Sequence, residues 1–124
     1  MANNDDYKDS ILISTRVYCG IVREVDVFDD RLIPLINSAF ATLYQLGLGD
    51  VEGFEIEDET AKWSDVLHGK KLLNLVKSYV HMYVQLVFDP PNNSFATESV
   101  KERLKEYEWR INVMLDPDKT GGNG

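Results

Sequence analysis

From Leu72 to Phe88 apolar residues fill most positions, while Asn74, Ser78, His81 and Gln85 recur at helical spacing as one narrow polar stripe. This pattern predicts a helix that is apolar around most of its circumference and must be covered on several sides. It ends abruptly in Phe88-Asp89-Pro90-Pro91-Asn92-Asn93-Ser94. Proline at 90 pushes Asp89 out of the α region, and two adjacent prolines remove two backbone donors, so the helix stops at about Phe88. Ser94 then offers an N-cap for a second arm, with Glu98 placed to favour the positive end of its dipole. In that arm Val100, Leu104, Tyr107, Ile111 and Met114 step by four, three, four and three, giving one core-facing seam among charged faces. The two arms read as a helical hairpin around which the rest of the chain is organised.

Trp109 breaks the pattern of the second arm. At about 100° per residue it lies roughly 180° from the seam, beside Glu102, Glu106 and Val113, on the face that water should cover. Two readings follow. The ring lies over a neighbouring loop of its own chain, or it anchors contact with another subunit, since large aromatics are enriched at the energetic centres of interfaces.

The N-terminal half carries a second clear amphipathic helix, with Leu32, Ile36, Ala39, Leu43 and Leu46 again stepping by four and three. Asp29 and Asp30 are its expected caps, and Pro34 falls in or just after the first turn. Gly47 is expected to end it in a Schellman turn, with Leu48 packing back on Leu43. Upstream, Asp9 or Ser10 caps a short helix carrying Ile11, Leu12, Ile13, Val17 and Tyr18, which Gly20 ends. Val25 and Val27 alternate with charged neighbours, so Val22 to Phe28 is a candidate extended run. Between Gly49 and Trp63 the acids Asp50, Glu52, Glu55, Glu57, Asp58 and Glu59 surround Phe54 and Ile56, which suggests an ordered loop or a short strand pair. Trp63, Val66 and Leu67 read as a short helical turn, with Ser64 or Asp65 as caps. The fold class is therefore all-α, a small bundle of about four helices with a hairpin broken at Pro90-Pro91. Residues 10–115 form the single domain, between a flexible arm at 1–9 and a flexible tail at 116–124.

At 124 residues the chain suits one domain, and its net charge of -8 argues against a surface that neutralises phosphates or seeks anionic membranes. The acidity leaves room for a surface that repels DNA and lets it pass. One cysteine, Cys19, rules out an intrachain disulfide and suits an intracellular site of folding. A polar start and the absence of an uninterrupted apolar span point to a cytoplasmic origin with no membrane partner. No nucleophile with a base, metal cluster or phosphate loop is recognisable, so an enzyme is not expected, nor a cofactor. His68 and His81 fall on different elements without ligand spacing, and the acidic loop lacks the ligand order of an EF-hand. Gly47-Leu48-Gly49 lacks the later glycine of a dinucleotide fingerprint, and Cys19 has no local activating base.

Several segments in order carry a resemblance: Phe28-Asp29-Asp30, Ile36-Asn37-Ser38-Ala39-Phe40, Leu43-Tyr44-Gln45-Leu46-Gly47, the Phe88 to Phe95 break, and Glu108-Trp109-Arg110-Ile111-Asn112-Val113. From about Ile11 to Met114 the chain resembles small head-to-tail connector (adaptor) proteins of long-tailed bacteriophages. The resemblance implies a virion neck protein, assembled in the host cytoplasm, that forms a dodecameric ring beneath the portal. Its implied partners are the portal protein, a tail completion or neck protein, and genomic DNA that passes without specific binding. It implies no catalytic residues. On this reading Trp109, Tyr83, Phe88, Phe95 and Val113 are expected at subunit interfaces. Asn112, Asp116, Pro117, Lys119 and Thr120 are expected to dock on the portal or tail. Glu55, Glu57, Asp58 and Glu59, or the Asn74, Ser78, His81 and Gln85 stripe, are the expected channel-facing surfaces. Glu106 and Arg110 are expected to pair within their helix. The rival reading is an acidic monomeric or dimeric regulator that binds a host protein by mimicking DNA, whose acids would spread over one folded face. Here they concentrate in the 50–59 loop and the termini.

Overall fold

Helix α3, Lys70–Phe88, runs through the middle of the molecule, with α2, Asp29–Gln45, on one side and α4, Ser94–Leu115, on another. A short α1, Ile11–Tyr18, lies across α2 and α3. The structure is a computed structural model and describes residues 6–67 and 69–115. This central placement explains why α3 is apolar nearly all round: Val76, Tyr79, Val80 and Val84 are all buried. They meet Ile11 and Leu12 of α1, Leu32, Ile36, Ala39, Phe40 and Leu43 of α2, and Leu104 and Ile111 of α4 in one core. Burying each such aliphatic side chain contributes about 1.5–3 kcal/mol before entropy is counted.

Ser10 is the N-cap of α1, its Oγ accepting from the Ile13 N–H at 3.2 Å and donating to the Glu59 carbonyl at 2.8 Å. Gly20, at φ 84°, takes the left-handed conformation that ends the helix. The candidate extended run at 22–28 is instead a pair of turns, closed by Val25 N–H to the Val22 carbonyl and Asp29 N–H to the Asp26 carbonyl. With no strand among the described residues to pair with, the segment satisfies its backbone locally, and Arg16 Nη1 donates to the Arg23 carbonyl at 2.6 Å. Within the segment expected as a flexible arm, Asp6–Asp9 form a 3-10 turn, and the Asp9 carboxylate accepts from both the N–H and the hydroxyl of Ser64. Asp9 thus caps the short turn Trp63–Asp65, where Ser64 was an expected cap, and Asp65 accepts from the Lys62 N–H.

Helix α2 differs from expectation at its start. Phe28 is the N-cap and makes no side-chain cap bond, while Asp29 and Asp30 stand in the first turn, where their charge favours the helix dipole. The Asp29 carboxylate is not free to cap because Arg16 holds both of its oxygens. Pro34 lies inside the helix just after its first turn, as expected, and the Asp30 carbonyl forgoes its helical donor. The other end follows the sequence reading. Gly47, at φ 116°, donates to the Tyr44 carbonyl at 2.9 Å and Leu48 N–H to the Leu43 carbonyl at 3.1 Å, a Schellman ending with Leu43 and Leu48 both buried.

The hairpin also stands, with one change of cap. Helix α3 stops at Phe88, and α4 is capped by Asn93 rather than Ser94: Asn93 Oδ1 accepts from the Ala96 N–H at 2.7 Å, and its carbonyl accepts from the Thr97 N–H at 3.1 Å. Along α4 the seam of Val100, Leu104, Tyr107 and Ile111 faces the core, but Met114 is 42% exposed and Leu115 takes the last inward position, over Gly47. Tyr79 fastens the arms, its hydroxyl donating to Glu108 Oε2 at 2.7 Å. Burial, reinforced by the Glu108 carboxylate, raises the phenol above its usual range. Among the described residues there is no strand; the acidic loop is irregular, and the one extended pairing is an isolated bridge between Ser10 and Lys62.

Candidate functional site

The outer face of α4 is the most conspicuous surface left by this packing. Helical periodicity puts Phe95, Glu102, Glu106, Trp109 and Val113 on one stripe opposite Leu104 and Ile111. Phe95 is 85% exposed and Trp109 66%, so Trp109 does not lie under a loop of the described chain. Arg110 Nη2 meets Glu106 Oε2 at 2.6 Å, the intrahelical pair expected from their spacing, and its guanidinium also stands 5.8 Å from the Tyr107 ring centre. Both partners of that pair are about half exposed, so its worth to the fold is small.

The remaining expected interface residues sit differently. Tyr83, Phe88 and Val113 are half-buried within their own subunit. Tyr83 stands 6.1 Å from Tyr79, and Phe88 meets Phe28 edge-on at 5.6 Å beneath the Arg31 guanidinium. Asn112, expected to dock on a partner, donates from Nδ2 to the Leu46 carbonyl at 2.8 Å, satisfying one of the orphan carbonyls at the end of α2. Asp116, Pro117, Lys119 and Thr120, and also His68, lie outside the described residues.

In the acidic loop Glu55, Glu57, Asp58 and Glu59 are all exposed. The loop is nevertheless fixed. Asn37 Oδ1 accepts from the Ile56 N–H at 2.8 Å while its Nδ2 donates to the Ile56 carbonyl at 3.2 Å, and Phe54 meets Phe40 edge-on at 5.0 Å. Asp58 accepts from the hydroxyl and the N–H of Thr60, which holds its carboxyl below its usual range. Glu59 reaches Arg16 at 3.4 Å.

Arg16 is the functional group that sequence reasoning missed. Its side chain is 3% exposed and joins α1, the 22–28 turns, α2 and the acidic loop through Asp29, Arg23 and Glu59. The bond to Asp29 leads the causes that raise its affinity for the proton, so the guanidinium stays charged in the interior. No local signal marks it, because Asp29 and Glu59 are distant in sequence.

The polar stripe of α3 is not a continuous open surface. Asn74 is exposed, Ser78 and Gln85 are half-buried, and His81 is buried at 8% exposure because α1 lies across that part of the helix. Ser14 Oγ lies 3.2 Å from His81 Nε2 and accepts from the Trp63 indole N–H at 2.9 Å. Tyr18 stacks on the imidazole at 4.9 Å and Trp63 meets it edge-on. Burial, with Lys77 adding to it, pushes the imidazole down to about 4, so it is neutral at physiological pH. It is a packed core histidine and not a surface group. Cys19 is likewise buried, its thiol pushed up to about 11 by burial. Among the described residues no group of three or more His, Cys, Asp or Glu side chains is placed to hold a metal ion. Nor is any helix there long and apolar enough to cross a membrane.

An all-helical bundle that turns two strongly exposed aromatic rings and a fixed acidic loop outward has the character of a structural subunit. The phage connector protein family matches residues 11–118, a span containing all four helices, and the chain belongs to that family. It is a family of structural rather than catalytic proteins. No curated protein and no solved structure matches the chain.

Proposed function

We propose that the protein is a structural subunit of the phage neck, copies of which form a ring, of the dodecameric kind the sequence resemblance implies, between portal and tail. The observation that carries this reading is family membership over residues 11–118 together with an outer α4 face that leaves Phe95 and Trp109 in water. Exposed large aromatics suit a subunit that its neighbours complete. Side-by-side heterologous contacts close into a ring when the rotation between subunits fits. The net charge of -8 supports passage of DNA without adhesion, and exposed Glu55, Glu57 and Asp58 are the candidate lumen-facing acids. Docking on the portal, or on a tail completion or neck protein, is assigned to Asp116, Pro117, Lys119 and Thr120, which follow α4 directly. Asn112 is left out of that assignment because its side chain is engaged with Leu46. Assembly takes place in the host cytoplasm, without a membrane or cofactor.

The test is the mass of the full chain in solution by light scattering, alone and mixed with portal rings of the same phage. A large closed oligomer, or a monomer that joins the ring only on the portal, supports the connector reading. A monomer or dimer indifferent to the portal overturns it and favours an acidic regulator that binds a host protein.

A further inference from the structure

A second feature of the hairpin surface answers the exposed tryptophan. Between α3 and α4 an open groove of about 360 Å³ is lined by Lys71, Asn74, Leu75, Ser78, Tyr107 and Met114. We propose that in the assembled ring Trp109 of one copy seats in this groove of the next copy, so that a repeated knob-and-groove contact joins the subunits; the proposal rests on the connector reading above.

The chemistry of the groove matches an indole at each of its parts. Leu75 and Tyr107 supply an apolar wall, and the Met114 thioether, which is exposed in the single subunit, offers the sulfur–aromatic contact that methionine favours. Lys71 stands at the rim as a cation for the face of the ring. The indole N–H of Trp109 has no hydrogen-bond partner among the described residues, and neither do the side chains of Asn74 and Ser78, either of which offers an oxygen to accept it.

Charge agrees with the pairing. Trp109 shares its stripe with Glu102 and Glu106, whereas the groove is lined by Lys71 and by no acidic residue. Glu102 beside the knob therefore meets Lys71 at the hole, which favours this register over like-on-like contact. The geometry also fits a chain of copies rather than a closed pair. Around the α4 axis Trp109 lies roughly 140–160° from Tyr107 and Met114 at about 100° per residue. Knob and groove therefore occupy different sides of the subunit, and one copy can use both at once. That is the requirement of a heterologous contact, which propagates to a ring, as distinct from an isologous one, which stops at a dimer.

The experiment is cysteine crosslinking of the full chain bound to portal rings, comparing Trp109→Cys, Ser78→Cys and the double variant under mild oxidation. The buried native Cys19 stays in place as an inert thiol. The double variant is expected to give a ladder of covalent multimers, and each single variant none. Bound chains without a ladder overturn the groove contact while leaving the connector reading intact, as do Trp109→Cys dimers, which mean like-on-like contact, or monomers closed by an intrachain bond. Failure of the wild-type chain to bind portal rings overturns the connector reading itself, and the groove contact with it. As a check on folding, Trp109→Ala retains the helical spectrum of the wild type but weakens assembly about tenfold or more, the effect of losing an interface anchor. Assembly unchanged by that substitution also refutes the contact.

Discussion

Protonation of His81 is expected to destabilise the bundle. The imidazole is packed between Tyr18, Trp63 and Ser14, and burial lowers its value from an ordinary 6.5 to about 4. The unfolded chain therefore binds this proton more readily than the folded one. The stabilising preference is complete above about pH 6.5 and is lost as pH falls from there toward about 4. At about 1.4 kcal/mol for each tenfold change in proton affinity, the gap corresponds to roughly 3 kcal/mol, a large share of a small domain's stability. The many carboxylates of the chain also titrate in this range, so the wild type alone does not isolate the effect. His81→Gln does, because glutamine keeps a polar group near Ser14 and does not titrate. Urea unfolding of both proteins is to be followed by circular dichroism at intervals from pH 7.5 to 4.5. The variant starts less stable, having lost the ring packing, and the wild type loses its advantage as the pH falls. Parallel stability curves across the interval would refute the reasoning, since they would mean that His81 reaches solvent or keeps its proton in the fold.

Three further outcomes follow from particular contacts. Asp29→Ala leaves the Arg16 guanidinium without its two-point partner in a site 3% exposed, and is expected to lower stability by about 2–4 kcal/mol in urea unfolding. Gly47→Ala forces a left-handed conformation at φ 116° and is expected to cost about 1 kcal/mol or more, whereas Gly49→Ala, with open space around it and no such conformation, should change stability by less than about 0.5 kcal/mol. Cys19 should react with a disulfide reagent at pH 8 roughly a hundredfold more slowly than an exposed cysteine, because its thiolate is scarce and its access is blocked; fast labelling of the folded chain would contradict the burial.

The parts of this fold that were legible in the sequence are those fixed by local rules. Two adjacent prolines end α3 whatever surrounds them, and Gly47 with Leu48 specifies a helix ending that needs only its own turn. The caps slipped by one residue where neighbours compete for the same task. Asn93 takes the place expected of Ser94, and Asp29 is diverted from capping by Arg16. What escaped was set by distant packing. Nothing near Arg16 announces partners at 29 and 59, and the polar spacing of His81 says nothing of the helix laid across it. The same division runs through the aromatic and aliphatic residues proposed for subunit contact. Trp109 could be placed outside because it opposes an unambiguous seam, whereas Tyr83 and Phe88 are apolar positions whose covering depends on neighbours within the chain.

Helix α4 shows how much apolar surface the single chain leaves open. It has 22 residues, of which Leu104 and Ile111 are buried, and it packs chiefly on α3, with Asn112 tying its end to α2. Isolated helices draw little stability from propensity alone, so a long helix held along one seam depends on whatever covers its other faces. Its charged positions are mostly solvated and contribute little. Burial of Phe95 and Trp109 by a neighbour would add apolar contact where the single subunit has none, and binding that favours the folded state stabilises it by mass action. The hairpin thus has one packed inner seam and an open outer face, and the ring proposed above would add its contacts on that face.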